Sequence, residues 1–389
     1  MRRRVDVLAQ EIERLRSGEA EEPALTDADR QRLGVAPSAA AVYRKRQGVS
    51  IAGYGEVLYE NFDDRLQDGT PSGAPSRVDM LRAVLYAGYR FNERFLVNSE
   101  IEFEHGGEEV GVEFAYVDYR VRDDLTLRGG LLLLPMGLVN EFHEPTVFFG
   151  ARRPETERRI LPSTWRENGV GVLGSRGRVT YRAYVVAGLD ATGFTAAGLR
   201  SGRQEGIESL AENLAFAGRI DVTPMAGVFA GGSVYTGDSG QAQLDGIDAR
   251  TTIGELHGQA QVRGIDIRAL YARASVGDAG ELNAALGRTG SAGIGSAMHG
   301  GYIQAGYNVL NQQSDTVALT PFYRFERVNT QADVPAGFTA DPAQRIDWHT
   351  LGIELRPVGG VVVKADYQRI TNGARTGRNQ FNIALGYAF

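Results

Sequence analysis

Large apolar residues alternate one by one with small or polar residues along most of this chain. In 380–389, Phe381, Ile383, Leu385, Tyr387 and Phe389 fall on one side, with Asn382, Ala384, Gly386 and Ala388 on the other. Strand side chains alternate with period two, so this is one strand with a greasy face opposite a small or polar one. Such a wall suits lipid outside and water inside, although a single strand at a sandwich edge shows the same alternation. The pattern recurs at 49–62, 78–91, 95–104, 110–121 and 125–134, and then in pairs that turn at Ser175-Arg176-Gly177-Arg178, Thr223-Pro224-Met225, Arg263-Gly264, Asn311-Gln312-Gln313-Ser314 and Pro357-Val358-Gly359-Gly360. Longer polar stretches separate the pairs near 190–211, 237–249, 276–298, 330–345 and 370–379. Short turns alternating with long loops predict an all-β fold, a transmembrane antiparallel β-barrel of about 16 strands over 47–389 with a water-filled lumen.

The first 46 residues do not alternate. Val5, Leu8, Ile12 and Leu15 occupy a and d positions of two heptads, which predicts a short N-terminal periplasmic coiled-coil helix or, failing a partner, a solvated terminal helix. Residues 17–46 read as a tether, in which Thr26-Asp27-Ala28-Asp29 caps a short helix ended by Gly34 and Pro37. Met1-Arg2-Arg3-Arg4 resembles the start of a signal peptide, but Val5–Glu11 is no apolar core, so the numbering is expected to start after signal removal or at an artificial start.

Composition sharpens this. The chain of 389 residues holds 50 Gly, 16 Tyr and 16 Phe, with no Cys. Glycine and aromatics in short, even segments suit closed sheets, and mean hydropathy is slightly polar at −0.25. The absence of Cys removes catalytic thiols and thiolate metal sites, and the net charge of −6 argues against nucleic acid as a partner. No glycine-rich phosphate cradle leads into a helix and no Ser motif accompanies the five histidines, so neither a cofactor nor an enzyme is specified. Glu141, His143 and Glu144 are weak candidate metal ligands, since ordinary hydrogen bonding serves three such close groups equally well.

Turning the greasy faces outward lists the lumen: Arg82, Tyr86, Asn98, Glu100, Glu102, Glu104, Arg128, Arg182, Arg219, Asp266, Arg268, Arg324, Glu326, Lys364 and Asp366. These charges either keep the lumen wet and pair with one another, or Arg82, Arg128, Arg182, Arg268, Arg324 and Lys364 form a cationic track that selects anions. The segment 135–167 is too apolar and too Pro-punctuated for a floppy loop, and it is expected to fold inward as a constriction. It carries Arg152, Arg153, Arg158 and Arg159, suited to bidentate anion contacts or to salt bridges with the wall, with Glu100, Glu102, Glu141 and Glu144 as counter-charges. Tyr387, Phe389, Phe91 and Phe95 are expected in one rim's aromatic girdle, with Tyr59 and Phe62 in the other.

The heptad helix, Gly53-Tyr54-Gly55 in the first strand, Gly129-Gly130 through Pro135-Met136-Gly137, Glu167-Asn168-Gly169-Val170-Gly171 and the aromatic last strand together resemble the phosphate-selective porin O/P family of Gram-negative bacteria. The last strand also resembles the signal read by the bacterial barrel-assembly machinery. The family resemblance implies a homotrimer of sixteen-stranded barrels in the outer membrane, amid lipid and lipopolysaccharide, whose third loop folds inward and through which anions diffuse passively. Where many members carry a lysine between the glycine and the Pro-Phe-Gly, this chain has Leu133, so a phosphate-binding lysine is missing there. Two readings follow: a diffusion channel for small hydrophilic or anionic solutes, phosphate among them, or a structural barrel whose amino-terminal helix contacts peptidoglycan or a periplasmic partner. Deleting 1–46 is expected to leave conductance unchanged in the first and to abolish cell-wall association in the second.

Overall fold

The computed structural model describes residues 25–314 and 316–389. Val5, Leu8, Ile12 and Leu15, and with them the expected coiled-coil helix, lie outside the described residues. Sixteen strands follow in chain order: β1 (Gly48–Phe62), β2 (Arg77–Arg90), β3 (Phe95–Glu104), β4 (Glu109–Arg122), β5 (Leu125–Leu133), β6 (Arg166–Arg176), β7 (Val179–Ala187), β8 (Leu214–Met225), β9 (Val228–Asp238), β10 (Arg250–Val262), β11 (Ile265–Val276), β12 (Ala297–Tyr307), β13 (Ala318–Asp333), β14 (Arg345–Val358), β15 (Val361–Asn372) and β16 (Gln380–Ala388). Each pairs antiparallel with its neighbours, and β1 with β16, so the sheet closes and leaves no open edge. Short helices α1 (Asp27–Leu33), α2 (Glu155–Arg159) and α3 (Ala279–Ala285) lie outside the sheet. No helix among the described residues is long and apolar enough to cross a membrane.

Alternation sets which side chains face out. On β16, Phe381, Ile383, Leu385 and Tyr387 are 38–46% exposed, whereas Asn382 and Ala384 are at 0% and 1%. The same parity turns Arg82, Tyr86, Asn98, Glu100, Glu102, Arg128, Arg182, Arg268, Arg324 and Lys364 inward. Phe91 and Phe95 are exposed at the short-turn rim. Phe62 departs from its expected place in a girdle. It shares the inward parity of Leu58 and Glu60, and its ring lies under the guanidinium groups of Arg378 at 4.3 Å and Arg77 at 5.6 Å.

At the seam, the Phe389 N–H donates to the Gly53 carbonyl at 2.9 Å and the Gly53 N–H to the Phe389 carbonyl at 3.1 Å. Gly53 and Gly55 leave room for aromatic rings: a Cβ at Gly55 would sit 2.4 Å from the Tyr387 hydroxyl, and one at Gly53 would sit 3.0 Å from the Phe389 ring.

Residues 25–46, expected as a tether, pack inside the barrel instead. Thr26 and Asp29 form a capping box for α1, and Gly34 ends the helix at φ +60°. Leu33, Val35, Ala36 and Ala39–Val42 are buried in the same apolar cluster as Tyr54, Val84, Tyr86, Phe114, Tyr116 and the Leu132–Leu134 tract. Polar ties hold the backbone: Asn98 Nδ2 donates to the Ala39 carbonyl at 2.9 Å, Arg90 to the Tyr43 carbonyl at 2.9 Å and Arg182 to the Gln31 carbonyl at 2.8 Å. The small apolar run Ala39-Ala40-Ala41-Val42 gains more from this burial than it would from trailing in water.

Candidate functional site

The site is the lumen and the loop drawn across it, 134–165 between β5 and β6. Its base is pinned by Asn140. The side-chain amide donates to the carbonyls of Leu134 at 2.8 Å and Trp165 at 2.9 Å, and accepts from the Trp165 N–H at 2.6 Å. Glu157 accepts from the N–H groups of Leu138 at 2.9 Å and Val139 at 2.6 Å and from the Tyr302 hydroxyl at 2.6 Å. Burial nevertheless pushes its carboxyl up to about 7.

The far wall grips the loop through a run of carbonyls. Arg356 donates to Thr146 O at 2.6 Å, Arg268 to Val147 O at 2.7 Å and Lys364 to Phe148 O at 2.6 Å and Gly150 O at 3.1 Å. Arg324 reaches Phe149 O at 3.3 Å and Arg152 O at 3.2 Å, and Arg219 reaches Gly137 O. On the acceptor side, Asp366 takes the Ala151 N–H at 2.6 Å and Glu326 takes that of Thr156. A backbone crossing a barrel has no sheet neighbours, so its buried carbonyls must find donors elsewhere. Hydrogen bonds to charged groups contribute about 1.5–3 kcal/mol each. Arg268, Arg324 and Lys364, expected on an anion track, are thus anchors of the loop in this structure.

The other expected path residues are paired as well. Arg82 meets Glu102 at 3.0 Å, Glu104 at 3.4 Å and Glu56 at 3.7 Å. Arg128 holds Asp118 in a two-pronged grip at 2.7 and 2.9 Å. Arg182 bridges Glu141 at 3.0 Å and Asp221 at 2.9 Å. Arg153 donates to the His143 carbonyl at 3.2 Å. The candidate metal trio diverges: Glu141 faces Arg182, His143 Nε2 lies 3.0 Å from Glu100, and Glu144 accepts from the N–H of Ser38 at 2.8 Å and of Ala39 at 3.4 Å. Leu133, where the resemblance calls for lysine, lines a small enclosed space with Val35, Ala36, Phe114 and Tyr116. Its apolarity matches the amino-terminal segment packed beside it.

Cavities open toward both rims. At the short-turn rim a cavity of about 710 Å³ lies under β8–β11, β13 and β14, lined by Arg30, Phe142, Phe229, Gln261, Arg268 and Glu354 among others. At the long-loop rim a cavity of about 370 Å³ presents Arg77, Arg152, Arg158, Arg159 and Arg378 against Glu60 and Glu155, five guanidinium groups to two carboxylates. Glu60 pairs with Arg152 and Arg77, each with a contact at 2.6 Å. Burial alone would raise the Glu155 carboxyl, but Arg158 and Arg159 on α2 outweigh it and hold it at about 2. Phe62 and Trp348 complete this mouth. Sequence reasoning had placed Arg152, Arg158 and Arg159 on the loop. It missed Arg77 and Arg378, which enter only through closure of the barrel, and Asn140, whose amide gave no signal. It also missed the loop 188–213, which turns inward too: Leu189, Phe194 and Leu199 are buried, and Arg203 donates to the Thr164 carbonyl.

Similar folds occur among solved outer-membrane proteins. The outer membrane channel DcaP of Acinetobacter baumannii matches with TM-score 0.57 at 11% identity, covering 88% of this chain and 97% of that one. An anion-selective porin from Comamonas acidovorans matches at 0.54 and 11%, covering 88% and 100%. Salmonella typhi OmpF, solved in complex with daunomycin, matches at 0.56 and 12%, covering 88% and 98%. At these identities the likeness is one of fold, the sixteen-stranded porin barrel. No family model matches the sequence. An uncharacterized protein of Aquifex aeolicus (strain VF5) is 38% identical over 373 residues, which span 92% of this chain and 83% of that protein, and this chain belongs to the same family.

Proposed function

We propose that this protein is an outer-membrane diffusion channel for small hydrophilic solutes, with a preference for anions, phosphate among them, set at the long-loop mouth. The observation that carries the reading is the polar lumen of a closed barrel, narrowed by an anchored loop and opening on a mouth where guanidinium groups outnumber carboxylates. In this reading the long loops face outward and the short turns face the periplasm, the barrels associate as homotrimers, and Val5, Leu8, Ile12 and Leu15 join them below the membrane. Transport needs no chemistry: hydrated solutes run down their gradient, and the fixed charges at the mouth bias which sign enters. The test is the reversal potential of the full chain in a planar bilayer under a salt gradient. An anion-selective sign supports the reading and a cation-selective sign overturns the preference. Concentration-dependent block by added phosphate would assign the solute. The competing structural-barrel reading is favoured by the partial filling of the lumen by residues 25–46, and it predicts no conductance at all.

A further inference from the structure

We infer that the outward face of β11–β15, at the long-loop rim, is a binding surface for the phosphorylated glucosamine headgroup of an outer-leaflet glycolipid of the lipid A type; this rests on the membrane orientation proposed above. Six basic side chains lie on that face: Arg273, His299, Arg327, Arg345, His349 and Arg369. Register brings them into one patch. Arg273 is opposite His299, His299 opposite Asn329, Asn329 opposite Arg345, and His349 opposite Arg369, while Arg327 is opposite Asp347. Asp347, the carboxylate set among them, is held by Arg327 in a two-pronged grip at 2.6 and 2.7 Å. Among the described residues Arg273, Arg345 and Arg369 make no ion pair.

Placement is the point. Arg345 opens β14, Arg369 lies three residues from the end of β15, and Arg273 three from the end of β11, all next to long loops. Below them the same face is apolar and aromatic, with Tyr271, Ile303, Tyr323, Leu351 and Tyr367 exposed. A phosphate-bearing headgroup over acyl chains is complementary to both tiers. The opposite side of the barrel lacks this upper tier: Val78, Val110, Val112, Leu214 and Phe216 carry the apolar surface up to the corresponding ends of β2, β4 and β8. A cationic patch confined to one side of a membrane wall marks that side as the one facing lipid headgroups, because unpaired arginines toward acyl chains cost about 2–4 kcal/mol each.

The test uses the full chain folded in detergent, titrated with bis-phosphorylated hexa-acyl lipid A and read by native mass spectrometry. Saturable binding is expected, weakened about a hundredfold in R273Q/R345Q/R369Q, at roughly fivefold per arginine. R120Q/R122Q at the short-turn rim is expected to bind as the parent does. Dephosphorylated lipid A is expected not to bind. Equal binding by the triple variant, equal binding of the dephosphorylated lipid, or equal affinity for phosphatidylglycerol would each overturn the inference. Heat-modifiable migration confirms that each variant has closed its barrel. The triple variant is expected to keep the parent's conductance, so loss of lipid binding and failure of the channel reading are separately visible.

Discussion

Glu144 links the amino-terminal segment to pH. Its buried carboxylate accepts the N–H groups of Ser38 and Ala39, and faces Glu100, His143 and Tyr86 across the contact. Burial is the largest influence, and with the Glu100 charge it outweighs the two backbone hydrogen bonds and His143, pushing the carboxyl up to about 7 from the ordinary 4.5. If the segment leaves, Glu144 faces lumen water and returns to its ordinary value. A group raised in the docked state favours docking below pH 4.5, and that advantage is lost as pH climbs through about 7. The full span is worth about 3 kcal/mol, on the order of several hundredfold in the docking equilibrium. Because the segment fills lumen space, conductance is expected to rise from pH 5 to pH 8. Glu144→Gln keeps an acceptor oxygen but cannot titrate, so its conductance is expected to stay low and flat. Glu144→Ala leaves two buried N–H groups unpaired, at about 1–3 kcal/mol each, and is expected to be high and flat. Single-channel recordings across that range decide the matter. A Glu144→Gln variant with the parent's pH profile, or a parent whose conductance falls with rising pH, would refute the reasoning.

Other perturbations follow from the same contacts. Deleting 1–46 is expected to raise single-channel conductance, reversing the expectation drawn from a tether outside the barrel. Asn140→Ala removes three buried hydrogen bonds at the base of the constriction loop; proteolysis within 134–165 is expected to accelerate at least tenfold, reflecting a loss of about 2 kcal/mol or more of local order. Gly130→Ala is expected to lower the unfolding midpoint, by about 2–3 kcal/mol in barrel stability, because φ is +135° there and a Cβ would lie 2.2 Å from the Ala115 carbonyl. Arg152→Gln with Arg378→Gln is expected to shift the reversal potential toward cations with conductance nearly kept, an outcome that unchanged selectivity would contradict.

The barrel was legible because its signal is local: each strand carries its own alternation, and Phe381–Tyr387 states outward and inward without reference to any partner. The inward constriction was legible from its prolines and apolar residues. What the inward cations touch was not legible. Lys364 meets Phe148 and Gly150 across 216 and 214 residues of chain, and a rule of parity says that a side chain points into the lumen, not what waits there. Arginines facing water and arginines facing loop carbonyls have the same pattern. The signal for residues 25–46 was present in Leu33, Val35 and Ala39–Val42, an apolar run unusual for a tether, yet the lumen that accepts it exists only once sixteen strands have closed.

The amino-terminal segment leans on β1–β7, and the cavity of about 710 Å³ lies beside it under β8–β11, β13 and β14. Traffic through such a tube would be eccentric, hugging one arc of the wall. Inward-facing positions on β1–β7 below the mouth then hold the filler in place, while those on β8–β14 border the open arc and grip the constriction loop beside it. A scan of polar substitutions around the circumference would therefore separate by arc, positions on β1–β7 read out as release of the filler and those on β8–β14 as a change in the width of the open arc.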